Sequence, residues 1–138
     1  MNELLFSNTI SIESSKETIT LLLQNPKFLL KWVPDIIQVD PLDDQKFNIR
    51  RTDSALNKNE QLSISTENDT ISYQSTGGKL EYTLSFILTS NDTKTLVEEC
   101  FYLSPNNHSH LPLKLLTPIA KHAFNSNLQG LKKVIEIN

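Results

Sequence analysis

Two adjacent carboxylates, Glu98 and Glu99, sit inside a segment that alternates like a β-strand. Neighbours on a strand point to opposite faces. They therefore cannot work together as an acid/base pair, and one of them must face the apolar side. Which one depends on the preceding turn. The strand Leu80 to Thr89 carries Leu80, Tyr82, Leu84, Phe86 and Leu88 on one face and Glu81, Thr83 and Ser85 on the other. A two-residue turn at Asn91-Asp92 pairs Ser90 with Thr93, Phe86 with Val97 and Leu84 with Glu99. That register puts Val97, Glu99, Phe101 and Leu103 inside and leaves Glu98 and Cys100 outside. A three-residue turn exchanges the two sets. The first register is preferred because it buries Val97, Phe101 and Leu103 together. A carboxyl over an apolar interior has a raised pKa unless a donor meets it, and Tyr73 and Tyr82 are the candidate donors. Such a group could hold a ligand's polar end or act as a general acid. The alternative is a wet strand end, with Glu99 reaching solvent at the rim.

The remaining reactive residue types read more simply. His108 and His110 form a His-x-His in a loop, but zinc needs a third ligand held nearby, and His122 on the last helix would supply it only by coincidence of packing. No metal and no cofactor are expected. Cys100 has no evident base beside it and reads as a small buried side chain rather than a nucleophile. As the sole cysteine it excludes an intrachain disulfide and fits a reducing compartment. The residues from Met1 to Ile10 are too polar for a secretory signal, and no run approaches the length of a membrane span. The protein is expected in the cytoplasm. With a net charge of −3, nucleic acid is not an expected partner, because phosphate binding needs a clustered basic surface. The basic pairs Arg50-Arg51 and Lys132-Lys133 read as solvated faces of a strand and a helix.

The elements that position these groups follow from hydrophobic periodicity. A chain of 138 residues suits one domain, 1–138, with enough core to need no metal or disulfide. Leu4, Phe6, Ile10 and Ile12 share a face of an opening strand, interrupted by Asn8. Ser14 and Ser15 offer N-caps for a short helix that ends at Asn25-Pro26. A second short helix carries Phe28, Leu29 and Trp32 and stops at Pro34. Strands are expected at Ile36 to Val39, Phe47 to Arg51, Gln61 to Ser65, around Ile71 and Tyr73, at Leu80 to Thr89 and at Thr95 to Leu103. Asn68-Asp69, Gly77-Gly78 and Asn91-Asp92 supply turns. The period then changes. Leu116, Ile119, Ala120, Ala123, Phe124, Leu128, Leu131, Val134 and Ile135 recur at helical spacing. Thr117-Pro118 reads as N-cap and first helical residue of a long helix, with a start one turn earlier as the alternative. A sheet with one apolar face must be covered, and that helix is the large element available to cover it.

This order of elements resembles the START-like (SRPBCC) superfamily of polyketide cyclases, coenzyme Q-binding proteins and birch-pollen-allergen proteins. Local matches are the opening strand followed by Ser14-Ser15-Lys16-Glu17, then Trp32-Val33-Pro34 after the paired short helices, and the closing turns from Asn127 to Glu136. The glycine-rich loop of the pollen-allergen branch is missing, since Gly77-Gly78 reads as a hairpin turn. The resemblance implies an α+β helix-grip fold: a seven-stranded antiparallel sheet wrapped around a long C-terminal helix, with two short helices after strand 1. It also implies a cavity between sheet and helix. Trp32, Phe47, Tyr73, Tyr82, Phe86 and Phe124 all fall on inner positions, where each is first of all a core residue. As a set, with Glu99, they suit a small hydrophobic ligand. The rival readings are a cyclase- or dehydratase-like enzyme using a cavity carboxylate, and a chaperone-activator-like protein-interaction domain.

Overall fold

The computed structural model describes residues 2–105, 107 and 112–137. His108 and His110 lie outside them. Strand β1 spans Glu3–Ile12 and is followed by helix α1, Lys16–Gln24, a 3-10 turn at Pro26–Phe28 and the single-turn helix α2, Leu29–Trp32. Strands β2 (Ile36–Pro41), β3 (Lys46–Arg51), β4 (Asn59–Glu67), β5 (Thr70–Thr76), β6 (Tyr82–Asn91) and β7 (Lys94–Leu103) come next, and helix α3, Leu113–Ile137, closes the chain. Pairing is antiparallel throughout, in the order β1-β7-β6-β5-β4-β3-β2. This is the helix-grip arrangement expected from the sequence.

The caps work as their residue types predict. Ser15 accepts a hydrogen bond from the Thr18 amide at 3.1 Å and so starts α1. Asn25 accepts one from the Lys27 amide at 3.2 Å and starts the 3-10 turn. Ser15→Ala is expected to cost about 1 kcal/mol, the usual worth of an N-cap oxygen; urea denaturation monitored by circular dichroism checks this.

Three local expectations are corrected. A bulge between Leu4 and Phe6 turns Leu4 out to solvent and brings Leu5 partly inside, so the inner face of β1 is Phe6, Asn8, Ile10 and Ile12. The β5–β6 connection is a five-residue loop rather than a tight Gly-Gly hairpin. Gly77 takes φ +81° there, and a Cβ at Gly78 would lie 2.6 Å from the Asn57 carboxamide carbon. Leu80 therefore sits in this loop, half-buried, and not in β6. Finally, α3 begins at Leu113, one turn and more before Thr117. The Pro112 carbonyl accepts the amides of Leu115 and Leu116, both at 3.0 Å, which opens the helix, and Pro118 lies inside it. Proline lacks an N–H, so its position one turn in removes a single bond without stopping the helix.

The β6–β7 turn is shifted as well. Asn91 pairs with Lys94, Ser90 with Thr95, Phe86 with Glu99 and Leu84 with Phe101, two residues away from the expected pairing. A shift of two preserves the faces. Glu99 accordingly points inward and Glu98 outward. Cys100 lies on the outer face with Glu98 but is buried there, beside Ser7 and Ser85 of the flanking strands, and burial pushes its thiol pKa up.

The core fills the concave face of the sheet. Ile12, Ile19, Leu23, Ile49, Ile71, Phe86, Leu88 and Val97 are closed over by Leu128, Leu131 and Ile135 of α3. The C-terminal half of the helix is thus the half that is gripped. Its first turns stand clear, with Leu115 and Ile119 exposed. At the β1 edge, Lys121 and Lys132 of α3 donate to the main-chain carbonyls of Ser7 and Ser11 at 2.6 and 2.7 Å. Among the described residues no helix is long and apolar enough to cross a membrane.

Candidate functional site

Between the sheet, α2 and the middle of α3, a chamber of about 100 Å³ is left among Trp32, Leu62, Tyr73, Leu84, Glu99 and Phe124, with Asp35 and Arg51 at one end. It adjoins a cleft of about 170 Å³ beside Leu56, Leu80, Phe101 and Ala120, and the two share Asp35, Arg51, Tyr82 and Phe124. A larger hollow of about 430 Å³ lies along β2 to β4. It is bordered by exposed Gln38, Asp40, Asn48 and Arg50 and encloses nothing.

Aromatic packing builds the walls. Phe6, Phe101 and Tyr82 form a stack, with centroids 4.9 and 4.8 Å apart, and Phe124 meets Phe6 and Phe101 edge-on at 5.4 and 5.3 Å. On the opposite side Phe86 receives Trp32 and Tyr73 edge-on at 6.1 and 5.3 Å. The chamber lies between the two groups. Of the residues anticipated from sequence, Trp32, Tyr73, Tyr82, Glu99 and Phe124 line it. Phe86 stands behind Trp32 and Tyr73, fully buried. Phe47 does not line it: it stands opposite Leu62 on β4 and borders a surface hollow with Gln24 and Gln45.

Glu99 is fully buried. Its Oε1 accepts a 3.4 Å hydrogen bond from Asn8 Nδ2, and its Oε2 has no partner among the described residues. Neither expected tyrosine reaches it. Tyr73 donates to the Leu23 carbonyl at 2.5 Å, and the Tyr82 hydroxyl accepts from Arg51 Nη2 at 3.3 Å. Burial pushes the Glu99 carboxyl up to about 8, and the Asn8 bond offsets only part of that rise. Burial likewise raises both tyrosine hydroxyls beyond their usual range. The indole Nε1 of Trp32, also buried, has no acceptor. The chamber thus holds two polar atoms without partners among the described residues, in walls that are otherwise mostly apolar.

A second polar group closes the chamber's end, and its residues had not been singled out. Arg51, expected on a solvated face, is directed inward. Its Nε meets Glu60 Oε1 at 2.6 Å and its Nη1 meets Asp35 Oδ1 at 2.7 Å. Glu60 has no exposed side-chain surface, and its other oxygen accepts from Ser75 Oγ and, at 3.3 Å, from Asn57 Nδ2. Burial alone would pull the Arg51 pKa down. The carboxylates of Glu60 and Asp35 outweigh it and hold the guanidinium charged. Asn57 also bonds both main-chain groups of Leu80, at 2.8 Å each, which ties the β5–β6 loop to this network. Strand alternation carries the signal: Phe47 and Ile49 inward imply Arg51 inward, and Leu62 and Ile64 imply Glu60.

No family model matches this chain, and no curated protein does. Solved structures match along its length. A START superfamily protein from Mycobacterium smegmatis is 14% identical over 95% of this chain and 96% of its own, with a TM-score of 0.77. The Aha1 dimer from Colwellia psychrerythraea, solved in solution, is 20% identical over 99% and 97%, with a TM-score of 0.64. Norcoclaurine synthase from Thalictrum flavum, in complex with dopamine and hydroxybenzaldehyde, is 9% identical over 100% and 88%, with a TM-score of 0.72. These likenesses establish the fold, which is START-like.

Proposed function

We propose that this chain, as a single domain in the cytoplasm, binds a small, mostly apolar molecule in the chamber between sheet and α3. One observation carries this reading. Trp32 Nε1 and Glu99 Oε2, on two residues that line an aromatic chamber, are buried polar atoms without partners among the described residues, and buried polar groups are almost always hydrogen-bonded. A bound molecule with one polar end would complete both. The cost of leaving such groups unpaired, about 1–3 kcal/mol each, is a cost that the ligand relieves. Support for binding rather than catalysis comes from the tyrosines: both hydroxyls are engaged and both pKa values are raised, so neither is poised to move a proton near neutrality.

Trp32 is the sole tryptophan and lines the chamber, so its fluorescence reports occupancy. Native mass spectrometry of freshly purified protein is expected to show a small-molecule adduct, and removing it by organic extraction is expected to shift Trp32 emission. An adduct-free spectrum, together with emission that no apolar additive from benzene to a medium-chain alcohol changes, overturns the proposal.

A further inference from the structure

The two unpartnered atoms also specify what the ligand's polar end must be. This step rests on the binding reading above. The chain of reasoning begins on α3. The Lys121 main-chain carbonyl accepts from Asn8 Nδ2 at 3.2 Å, which fixes the orientation of that carboxamide, since the reverse flip would set its oxygen against a carbonyl oxygen. The same Nδ2 then faces Glu99 Oε1, which must be an acceptor. Nothing else meets Glu99 among the described residues. Its β6 partner is Phe86. From α3 the Lys121 carbonyl reaches it by way of Asn8, the Lys121 ammonium goes to Ser7, and the uncharged Ala123, Phe124 and Asn127 line the chamber with it. The charged and titratable groups that share the chamber are Arg51, Asp35, Tyr73 and Tyr82. Arg51 is held by Asp35 and Glu60, Tyr73 donates to Leu23, and Tyr82 accepts from Arg51 and is hydrogen-bonded to Glu60 and Ser75. A fully buried carboxyl with one neutral donor and no cation is most stable protonated. With Oε1 accepting, the proton resides on Oε2. Two residues that line the chamber therefore carry buried donors without a partner among the described residues, Glu99 Oε2–H and Trp32 Nε1–H, and the carboxamide of Asn127 lines it beside them. Its one guanidinium already meets two carboxylates, which leaves no positive charge to hold an anion.

We infer that the chamber selects an uncharged molecule whose buried end is a hydrogen-bond acceptor, a ketone, ester or lactone carbonyl, and rejects both the hydrocarbon and the carboxylate of the same shape.

The probes that test this are acetophenone, ethylbenzene and benzoate, titrated into the full chain with Trp32 emission and the Trp32 indole proton resonance as readouts. At about pH 6, acetophenone is expected to bind about tenfold more tightly than ethylbenzene, the worth of one ordinary net hydrogen bond, and to move the indole proton downfield. Benzoate is expected not to saturate. Raising the pH to about 9.5 removes the Oε2 proton and is expected to weaken acetophenone about tenfold. Glu99→Gln places an N–H where Oε2–H stood, so the variant is expected to keep acetophenone affinity and lose its pH dependence. Equal or stronger binding of ethylbenzene or benzoate at about pH 6, or the same pH dependence in the Gln variant, overturns the inference and leaves the chamber as a binding site. Failure of all three probes to perturb Trp32 overturns the reading of the chamber itself.

Discussion

Glu99→Gln is expected to leave the protein about as stable as wild type at pH 4 and make it substantially more stable at pH 8. The group's folded pKa of about 8 lies above its ordinary 4.5. Between those values the folded state holds a proton that the unfolded state has released, so unfolding is favoured as pH rises. The stabilisation is complete below about pH 4.5, declines across the window and is gone above about 8. Each unit is worth about 1.4 kcal/mol, so the full loss is on the order of 4 to 5 kcal/mol. Glutamine cannot ionise and escapes it. The quantity to measure is the difference in urea-unfolding free energy between the two proteins at several pH values, because other groups titrate in both and cancel. A difference that stays flat from about pH 4.5 to about pH 8.5 would mean that Glu99 is not buried in the folded protein.

The largest effect in the opposite direction is expected at the closed end of the chamber. Arg51→Met removes the one cation facing Glu60, whose side chain has no exposed surface. Breaking a buried pair by deleting one partner costs about 3–5 kcal/mol, because the other charge is left unpaired. Removing both with apolar residues of similar size costs far less. Arg51→Met with Glu60→Leu is therefore expected to recover most of the stability that the single variant loses, less what Ser75 and Asn57 lose as donors. A double-mutant cycle in guanidinium chloride gives the coupling. Additive losses in the double variant would show that the two residues are independent. Asp35, more exposed and bound only through Nη1, contributes less, since solvent screens it.

The contrast between these two groups marks what could be read before the structure. Alternation with period two, and its change to 3.6 after Leu111, carried the sheet, the grip helix and the inward direction of Glu99. That last result survived a mistaken register because an error of two residues leaves every side chain on its own face. The same alternation, continued one step further along β3 and β4, turns Arg51 and Glu60 inward. Composition argued otherwise, since charged residues are rarely fully buried unless paired, and pairing is a property of two strands. Asn8 was passed over for a related reason. On its own strand it only breaks an apolar face, and its purpose is visible only opposite Glu99. The first turns of α3 and the β5–β6 loop were hardest to read, because their geometry answers to Pro112 and Asn57 through contacts that are distant in sequence or carry no periodic signal. Phe47, inward like the rest and opposite Leu62, shows that face parity does not tell which inward residues border a cavity.

The lysines that reach from α3 to β1 bear on how this chain behaves in a crowd. A sheet in the order found here ends in two strands with one side unpaired, and a bare strand edge invites another chain to add itself. Along β1 the carbonyls of Ser7 and Ser11 are occupied by the ammonium groups of Lys121 and Lys132, and the Glu13 amide by the Glu136 carboxylate at 2.8 Å. The helix thus stands in for the missing neighbour strand, offering charged side chains where a foreign strand would have to offer main chain. An intruding strand must first displace them, so the gripping helix also protects this edge against aggregation.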